Sequence, residues 1–461
     1  MSEANKKAMI IGLDCAAPKL IFEDWKSHLP NLSKLMEEGG YGKLKSSDPP
    51  ITCPAWMSMM SSKSPGKLGF YGFRNRKDYS YDKLKFATSA SVKEDLLWDV
   101  LGRNKKKSII LGVPQTYPPK RINGCLVTSF LTPSTDAQFT YPSFLKEEIK
   151  ENIGDYIIDV RNFRTEDKDN LLEEIYEMTK VRFKTARYLL DKKPWDFFMM
   201  VEMGVDRIHH GFWKYHDKNH PKYEPGNKYE NAIKDYYKYV DKEIGTLLER
   251  TDDDTLIMVV SDHGAKKMDG GIAINEWLIE KGYLKIKARP NEATRIRDIE
   301  IDWDNTKAWA FGGYYSRIFL NVKDREPNGM VKEEEYEQTR DELIKTLEGI
   351  TDEDGNSLGT RVLKPQEIYE ECKNIPPDLI AYFGDLDWRA IGSIYSKPKK
   401  YIYANDTGPD DANHDHYGIY ISNKSNKKKL SNLDLRDITP TVLDYFGIEI
   451  PKDMEGKVIN R

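Results

Sequence analysis

The run Thr255-Leu-Ile-Met-Val-Val260 leads directly into Ser261-Asp262-His263-Gly264, which sets a carboxylate beside an imidazole. Six mainly apolar residues of this kind read as a buried strand. In an α/β protein such a strand delivers the next residues to the carboxyl edge of the sheet, where ligands bind. Asp and His are among the commonest ligands of zinc and manganese, and Gly264 lets the backbone turn away from them. A lone Asp-His pair also fits a hydrogen-bonded turn, but the pattern recurs. Asp14 follows the apolar run Met9–Leu13, although an Asp there also suits a helix N-cap. Asp206 and His210 follow the apolar run Trp195–Met203, and their four-residue spacing puts both on one face of a helical turn. His209 points about 100° away on that helix and is assigned to packing or to support of the ligands. The segment Asn413-His414-Asp415-His416-Tyr417-Gly418 offers His414, with His416 as second choice. Two divalent metals need about six to seven such ligands, and the chain supplies that number.

A metal pair in a hydrolase works with a nucleophile, and the stretch Ser47–Trp56 contains three choices: Ser47, Thr52 and Cys53. Pro50 and Pro54 stiffen a turn that presents Thr52 at the start of a helix beginning near Ala55. A hydroxyl there can face a metal while the helix N-terminus favours an attached phosphate. The plainer reading is that Thr52 caps the helix.

These residues need elements to position them. Strand-like and helical runs alternate: Ala8–Leu13, Leu32–Glu38, Ser108–Val113, Lys168–Asp191, Trp195–Met203, Tyr229–Arg250 and Thr255–Val260. Such alternation predicts an α/β fold, an α/β/α sandwich around a central, mostly parallel sheet. After Asp269 the segments shorten and Gly, Pro and Trp turns multiply, with one charged helix near Val331–Leu347. The core pattern returns with a strand at Tyr417–Ile421 and a helix at Asp437–Phe446. The expected organisation is a core of residues 1–269 and 405–461 with an inserted cap of residues 270–404 over one end of the sheet.

Composition sets the outer limits. The 461 residues carry 39% hydrophobic and 32% charged side chains and a formal net charge of −4. That balance excludes the basic footprint of a nucleic-acid binder, and the Lys105–Lys107 and Lys427–Lys429 clusters read as solvated faces. No run approaches the roughly 18 apolar residues of a membrane span, and the first residues do not resemble a secretory leader. Cys15, Cys53, Cys125 and Cys372 lack CxxC or ligand spacing, which suits a reducing compartment. A cytoplasmic location is expected.

Taken in order, Asp14, Thr52, Asp206-x-x-x-His210, Ser261-Asp262-His263-Gly264 and a late His resemble the alkaline phosphatase superfamily. The likeness is to its type I phosphodiesterase and nucleotide pyrophosphatase branch, in the cytoplasmic phosphohydrolase and phosphomutase group. Shorter stretches are similar too: Leu29–Met36, Pro49–Trp56, Gly112–Pro118, Ile274–Leu278, Arg325–Pro327 and Asp437–Thr441. The resemblance implies an alkaline phosphatase-like fold and two divalent ions, Zn²⁺ with Mn²⁺ as the alternative. One would be held by Asp206, His210 and His414, the other by Asp14, Asp262 and His263 with Thr52 bridging towards it as nucleophile. His414 is preferred to His416 because the family's late His stands four residues before the Gly of a Gly-Ile-hydrophobic strand, here Gly418-Ile-Tyr. Two departures stand out. The Asn that holds a phosphate oxygen in extracellular diesterases is not at the corresponding place, so Arg74 or Asn75 are the candidates to substitute. Thr52 stands where a sulfatase would carry its modified Cys, which argues against a sulfatase.

The expected activity is hydrolysis of a phosphodiester or nucleotide pyrophosphate through a phospho-threonine intermediate, on a phosphorylated small-molecule or nucleotide substrate. A Thr in a T-x-P turn resembles the diesterases, and no arginine besides Arg74 stands near it in the sequence to balance a monoester's second charge. A phosphomonoesterase or phosphomutase with the same machinery is the alternative, and a non-catalytic metal-dependent sensor of phospho-ligands is the alternative of another class. Arg317, Asn321, Arg325 and Arg389 in the inserted stretch are candidates to bind phosphate or carboxylate groups. Trp277, Trp303, Trp309 and Trp388 read as the insert's own core rather than a stacking surface for a base.

Overall fold

The computed structural model describes residues 6–459. The apolar runs close into a nine-stranded sheet, in the order Leu433–Asp434, Gly40–Lys45, Tyr417–Ser422, Leu256–Val260, Ala8–Leu13, Phe197–Glu202, Ser108–Leu111, Gly124–Val127 and Thr140–Tyr141. The strands from Leu256–Val260 to Gly124–Val127 run parallel to one another. The three central ones are buried at every residue, which is why their sequences are continuously apolar rather than alternating. The fold is the expected α/β class with a large, mostly parallel sheet. The antiparallel Gly40–Lys45 and Tyr417–Ser422 pair flanks one side. Gly40–Lys45 alternates buried with partly or fully exposed residues and had no apolar run to announce it.

Register decides where the chemistry is placed. Ala8 lies opposite both Phe197 and Leu256, Leu13 opposite Glu202, and Gly12 opposite Val260. The three strands therefore end level, and Asp14, the turn before Asp206, and Asp262 leave from one edge. Tyr417–Ser422 runs antiparallel to Leu256–Val260, with Tyr420 opposite Val260. Its amino end is thus at the same edge, which brings His414 there.

Helices Lys168–Lys192, Gly204–His216, Ala232–Leu248 and Pro30–Glu38 pack on one another. Thr52–Ser61, Leu97–Arg103 and Ile438–Phe446 form a second group. Both groups share one hydrophobic core with the sheet. Gly12 permits a close approach of the Thr52–Ser61 helix to the sheet: a Cβ there would lie 2.5 Å from the Trp56 ring and 2.9 Å from Val201.

The later segments build a separate hydrophobic cluster running from Ile272 to Ile394. It holds a four-stranded antiparallel sheet, Ala308–Phe311, Ser316–Leu320, Leu379–Tyr382 and Arg361–Leu363. Trp277, Trp309 and Trp388 are buried in it and Trp303 packs against it, so none of these four lines the cleft beside Thr52. A hairpin far earlier in the chain, Arg74–Arg76 with Leu84–Phe86, joins this region. Arg76 pairs with Glu326 at 2.8 Å in full burial, and Tyr81 stacks on Trp303 at 3.6 Å.

Candidate metal centre and nucleophile

Helix Gly204–His216 begins directly behind its strand, and the four-residue spacing brings His210 Nε2 to 3.2 Å from Asp206 Oδ1. His414 Nε2 lies 3.9 Å from the same oxygen. With the Cys15 thiol, these groups have ligand atoms within 4.8 Å of one another. Asp14, Asp262 and His263 form a second set on the same criterion, with His263 Nε2 at 3.2 Å from Asp262 Oδ2 and 3.8 Å from Asp14 Oδ1. The rings of His263 and His414 stack at 3.8 Å between centroids, so the two sets adjoin. Thr52 Oγ1 is 3.4 Å from His263 Nε2. The helix behind it spans Thr52–Ser61, with Ile51 as the N-cap residue, so Thr52 opens the helix and does not cap it.

The neighbours of each side chain settle which atom faces the centre. Nδ1 of His210 meets Asp410 Oδ1 at 2.7 Å, that of His414 meets the Pro50 carbonyl at 2.8 Å, and that of His263 meets the Gly264 carbonyl at 3.1 Å. An Nδ1 donating to an oxygen leaves Nε2 as the lone pair, an arrangement that orients metal-binding imidazoles. Trp56 Nε1 donates to Asp14 Oδ2 at 2.7 Å, and the Cys15 N–H donates to Asp262 Oδ1 at 3.2 Å. Asp14 Oδ1, Asp262 Oδ2, His210 Nε2 and His414 Nε2 are left buried without a hydrogen-bond partner. Leaving four inward-facing donor atoms unpaired is costly, and divalent cations would satisfy all four with ordinary nitrogen and oxygen ligands.

Electrostatics point the same way. Burial, and then the charge of Asp206, push the Asp14 carboxyl well above the usual carboxylate range. Burial and Asp14 do the same to Asp262. Burial opposes the charge of Asp206 too, but His210 and Arg207 outweigh it and hold this carboxyl well below its usual value. Burial would lower His210, yet Asp410 and Asp206 raise it to about 9. Burial brings His263 down to about 4, and burial with His263 and His210 holds His414 well below its ordinary range. Positive charge at the centre relieves the carboxylate crowding that the protein alone leaves in place.

The other candidates separate clearly. Thr52, Arg74, Asp206, His210, Arg317 and His414 line one cleft of about 490 Å³. Arg317 Nη1 donates to the Arg74 carbonyl. Asn75 is buried, and its amide is committed to the Tyr71 N–H and the Gly72 carbonyl. Arg325 is outside the cleft, clamped by Asp378 and Glu326, and Asn321 ties together the Trp303, Thr306 and Asn328 carbonyls. His416 contacts Asp385 at 3.2 Å instead of the centre. His209 contacts the Tyr237 hydroxyl at 3.1 Å. Ser47 donates to the Pro49 carbonyl, and burial with Asp14 raises the Cys53 thiol far above its usual range, which disfavours both as nucleophiles.

The absence of further arginines near Thr52 is corrected by the structure. Arg164, Arg207 and Arg389 also line the cleft, brought from positions remote in the sequence. Arg207 is already matched by Asp159 and Asp206 and Arg164 by Asp410, so only part of this positive charge is free for a ligand. Asp410, Cys15, Tyr314 and the pairing of Trp56 with Asp14 were not anticipated. Trp56 lay inside the Pro49–Trp56 similarity, whereas nothing local marks Asp410, 200 residues beyond His210.

A family model described as type I phosphodiesterase / nucleotide pyrophosphatase matches residues 8–410. Among solved structures, the chain is similar to phosphonoacetate hydrolase from Sinorhizobium meliloti 1021 in complex with phosphonoformate, at 14% identity and TM-score 0.63, covering 94% of each chain. It is also similar to human ectonucleotide pyrophosphatase / phosphodiesterase 5, at 12% identity and TM-score 0.54, covering 96% of each. A third is an inactive threonine-to-alanine form of the murine counterpart in complex with AMP, at 12% identity and TM-score 0.53, covering 97% of this chain and 96% of that one. No curated protein matched the sequence. The chain belongs to the type I phosphodiesterase / nucleotide pyrophosphatase family, within the alkaline phosphatase superfamily. It is a phosphoric ester hydrolase of the phosphodiesterase and pyrophosphatase type. Among the described residues no helix is long and apolar enough to cross a membrane.

Proposed function

We propose that the protein cleaves a phosphodiester or nucleotide pyrophosphate bond at a centre of two divalent ions, with Thr52 as nucleophile. The observation that carries this reading is the pair of adjoining ligand sets with four unpartnered inward atoms, beside a threonine hydroxyl that opens a helix. Asp206, His210 and His414 would hold one ion, and Asp14, Asp262, His263 and Thr52 the other. The donor set suits Zn²⁺, with Mn²⁺ as the alternative. When bound, the ions supply the charge that favours ionisation of the Thr52 hydroxyl and neutralises the phosphoryl and departing oxygens. Thr52 Oγ1 attacks phosphorus as the bond to the departing oxygen breaks, and the N-terminus of its helix favours the phosphoryl group it now carries. Water then cleaves the phospho-threonine ester and restores the hydroxyl. Arg74 and Arg317 stand in the same cleft to hold non-bridging oxygens or a remote part of the substrate.

The neighbour bound to AMP and the one bound to phosphonoformate support a phosphorylated small-molecule substrate. The two hydrophobic clusters support a catalytic core of residues 1–269 and 405–461 capped by residues 270–404, with the Arg74–Phe86 hairpin lent by the core to the cap. Four free cysteines suit a cytoplasmic setting. The arginines lining the cleft favour the phosphomonoesterase or phosphomutase alternative more than the sequence did. The test is the ratio of kcat/KM for bis-p-nitrophenyl phosphate to that for p-nitrophenyl phosphate, with Zn²⁺, Mn²⁺ and Mg²⁺ in turn. A ratio above one is expected, and a ratio well below one with all three metals replaces the diesterase reading with that alternative.

A further inference from the structure

A smaller lobe of about 200 Å³ opens off the cleft and shares Arg74, Gly312, Gly313, Arg317 and Arg389 with it. Its charge is one-sided. Arg74, Arg295, Arg297, Arg317 and Arg389 line it against a single carboxylate, Asp406, which is itself bonded to the Ser393 hydroxyl at 2.7 Å.

These five guanidinium groups come from four separate stretches of chain. Arg74 is on the early hairpin, Arg317 on Ser316–Leu320, Arg389 on Trp388–Ile391, and Arg295 and Arg297 are at and just beyond the short strand Thr294–Arg295. Pairing of Thr294–Arg295 with Ser393–Ile394, and of Phe311 with Arg317, brings them to one wall. Few of them are neutralised. Among the described residues Arg74, Arg295 and Arg317 make no ion pair, and Arg297 reaches only the exposed Asp298, at 3.5 Å. Arg389 is 5% exposed, its Nε and Nη1 have no hydrogen-bond partner, and its nearest carboxylate, on Asp410, is 3.7 Å away. Burial, then repulsion from Arg297, Arg295 and Arg317, lowers the Arg74 pKa. Gly312 and Gly392 approach so closely that a Cβ on Gly312 would lie 2.4 Å from the Gly392 nitrogen, which keeps this part of the lining free of side chains.

Holding several like charges together is unfavourable until an anion enters, and planar guanidinium forks match phosphate oxygens in pairs. We infer that this lobe is a second anion subsite, and that the substrate carries a second phosphate group, remote from the bond that is cleaved. The inference rests on the proposed function in that the main cleft receives the scissile phosphate. It narrows the substrate class to bisphosphorylated small molecules and nucleotides bearing an additional phosphate.

The test is inhibition of bis-p-nitrophenyl phosphate hydrolysis by a series of α,ω-alkanediol bisphosphates of increasing chain length, each compared with its own monophosphate. At the length that spans the two lobes, the bisphosphate should bind about tenfold more tightly or better, since two charge-assisted contacts are added. In Arg295→Ala/Arg297→Ala that advantage should fall below about threefold, and Arg295→Lys/Arg297→Lys should retain part of it. Both side chains are exposed, so the variants are expected to fold, which circular dichroism checks. The inference is overturned if no bisphosphate outbinds its monophosphate, or if the advantage survives intact in the alanine pair. Should the protein fail to hydrolyse the reporter diester, the proposed function falls while the same series, read by titration calorimetry, still decides the subsite.

Discussion

Thr52 and Cys53 are adjacent, both buried and both nucleophilic in type, yet their surroundings treat them oppositely. The Thr52 hydroxyl faces the imidazole of His263, where positive charge is expected. The Cys53 thiol is pushed far from ionisation by burial and by Asp14, and a thiol that stays protonated is a poor nucleophile. Replacing Thr52 by Ala should therefore cut turnover by at least ~10³-fold, while the metal content stays near two ions per chain because Asp14, Asp262 and His263 remain as the stronger ligands on that side. Cys53→Ala should cost far less. Steady-state kinetics with metal analysis on both variants checks this, and loss of activity in Cys53→Ala with retention in Thr52→Ala would reverse the assignment.

At the level of elements, the centre is a property of strand ends. Asp14 and Asp262 follow adjacent strands that finish level, whereas His414 arrives on Ala412–Asp415, which pairs with Gly264–Lys267. The two ligand sets thus hang on partly different supports and should fail separately. Asp262→Asn is expected to release about one metal equivalent from the Thr52 side and His414→Ala about one from the other, since loss of a ligand removes much of a site's affinity. Elemental analysis of dialysed protein reads this, and full retention of both ions in His414→Ala would exclude His414 as a ligand. Sheet and helix also meet at Gly12, where a Cβ would press on Trp56, the residue that fixes Asp14. Gly12→Ala should destabilise by about 1–3 kcal/mol through overpacking and lower activity as well. Denaturant unfolding that matches the parent would show that Trp56 has room to move.

For the whole molecule, buried charge links metal, fold and pH. The raised Asp14 and Asp262 carboxyls keep protons in the metal-free fold that the unfolded chain, with carboxyls near 3.8, has released. Metal-free stability therefore falls as pH rises towards those raised values. His210, raised to about 9 from 6.5, stabilises fully below pH 6.5 and loses that contribution as pH rises through 9. His263, lowered to about 4, acts in the opposite sense, but only between about pH 4 and 6.5. Above pH 6.5 the loss of the His210 contribution thus acts against the metal-free protein, while metal binding strengthens as its ligands lose protons. Chelation should lower Tm more at about pH 9 than at about pH 6.5. Differential scanning fluorimetry of loaded and chelated protein measures it, and a loss that is equal at both pH values, or larger at the lower, contradicts the linkage.

Much of this molecule was legible along the chain because the signals are local. Continuous apolar runs mark strands covered on both faces, and the residues just beyond such a strand must emerge at a sheet edge. A four-residue spacing sets Asp206 beside His210 through helical period alone. Gly40–Lys45 escaped notice because its alternating face carries little apolar sequence, and the Thr52 helix began earlier than Pro54 suggested. Other features exist only once distant segments meet. Asp410 orients His210 from 200 residues away and Trp56 reaches Asp14 across 42. The turning of His416 to Asp385, the removal of Arg325 to Asp378 and the gathering of five arginines in one lobe likewise need segments that are remote in the chain, whereas Asn75 is committed within its own turn, to Tyr71 and Gly72. Residue types and local periodicity thus determined the candidate ligands, the candidate nucleophile and the sheet edge that carries them. Tertiary closure decided which atoms face the centre and where the remaining positive charge collects, because burial and long-range pairing have no period in the sequence.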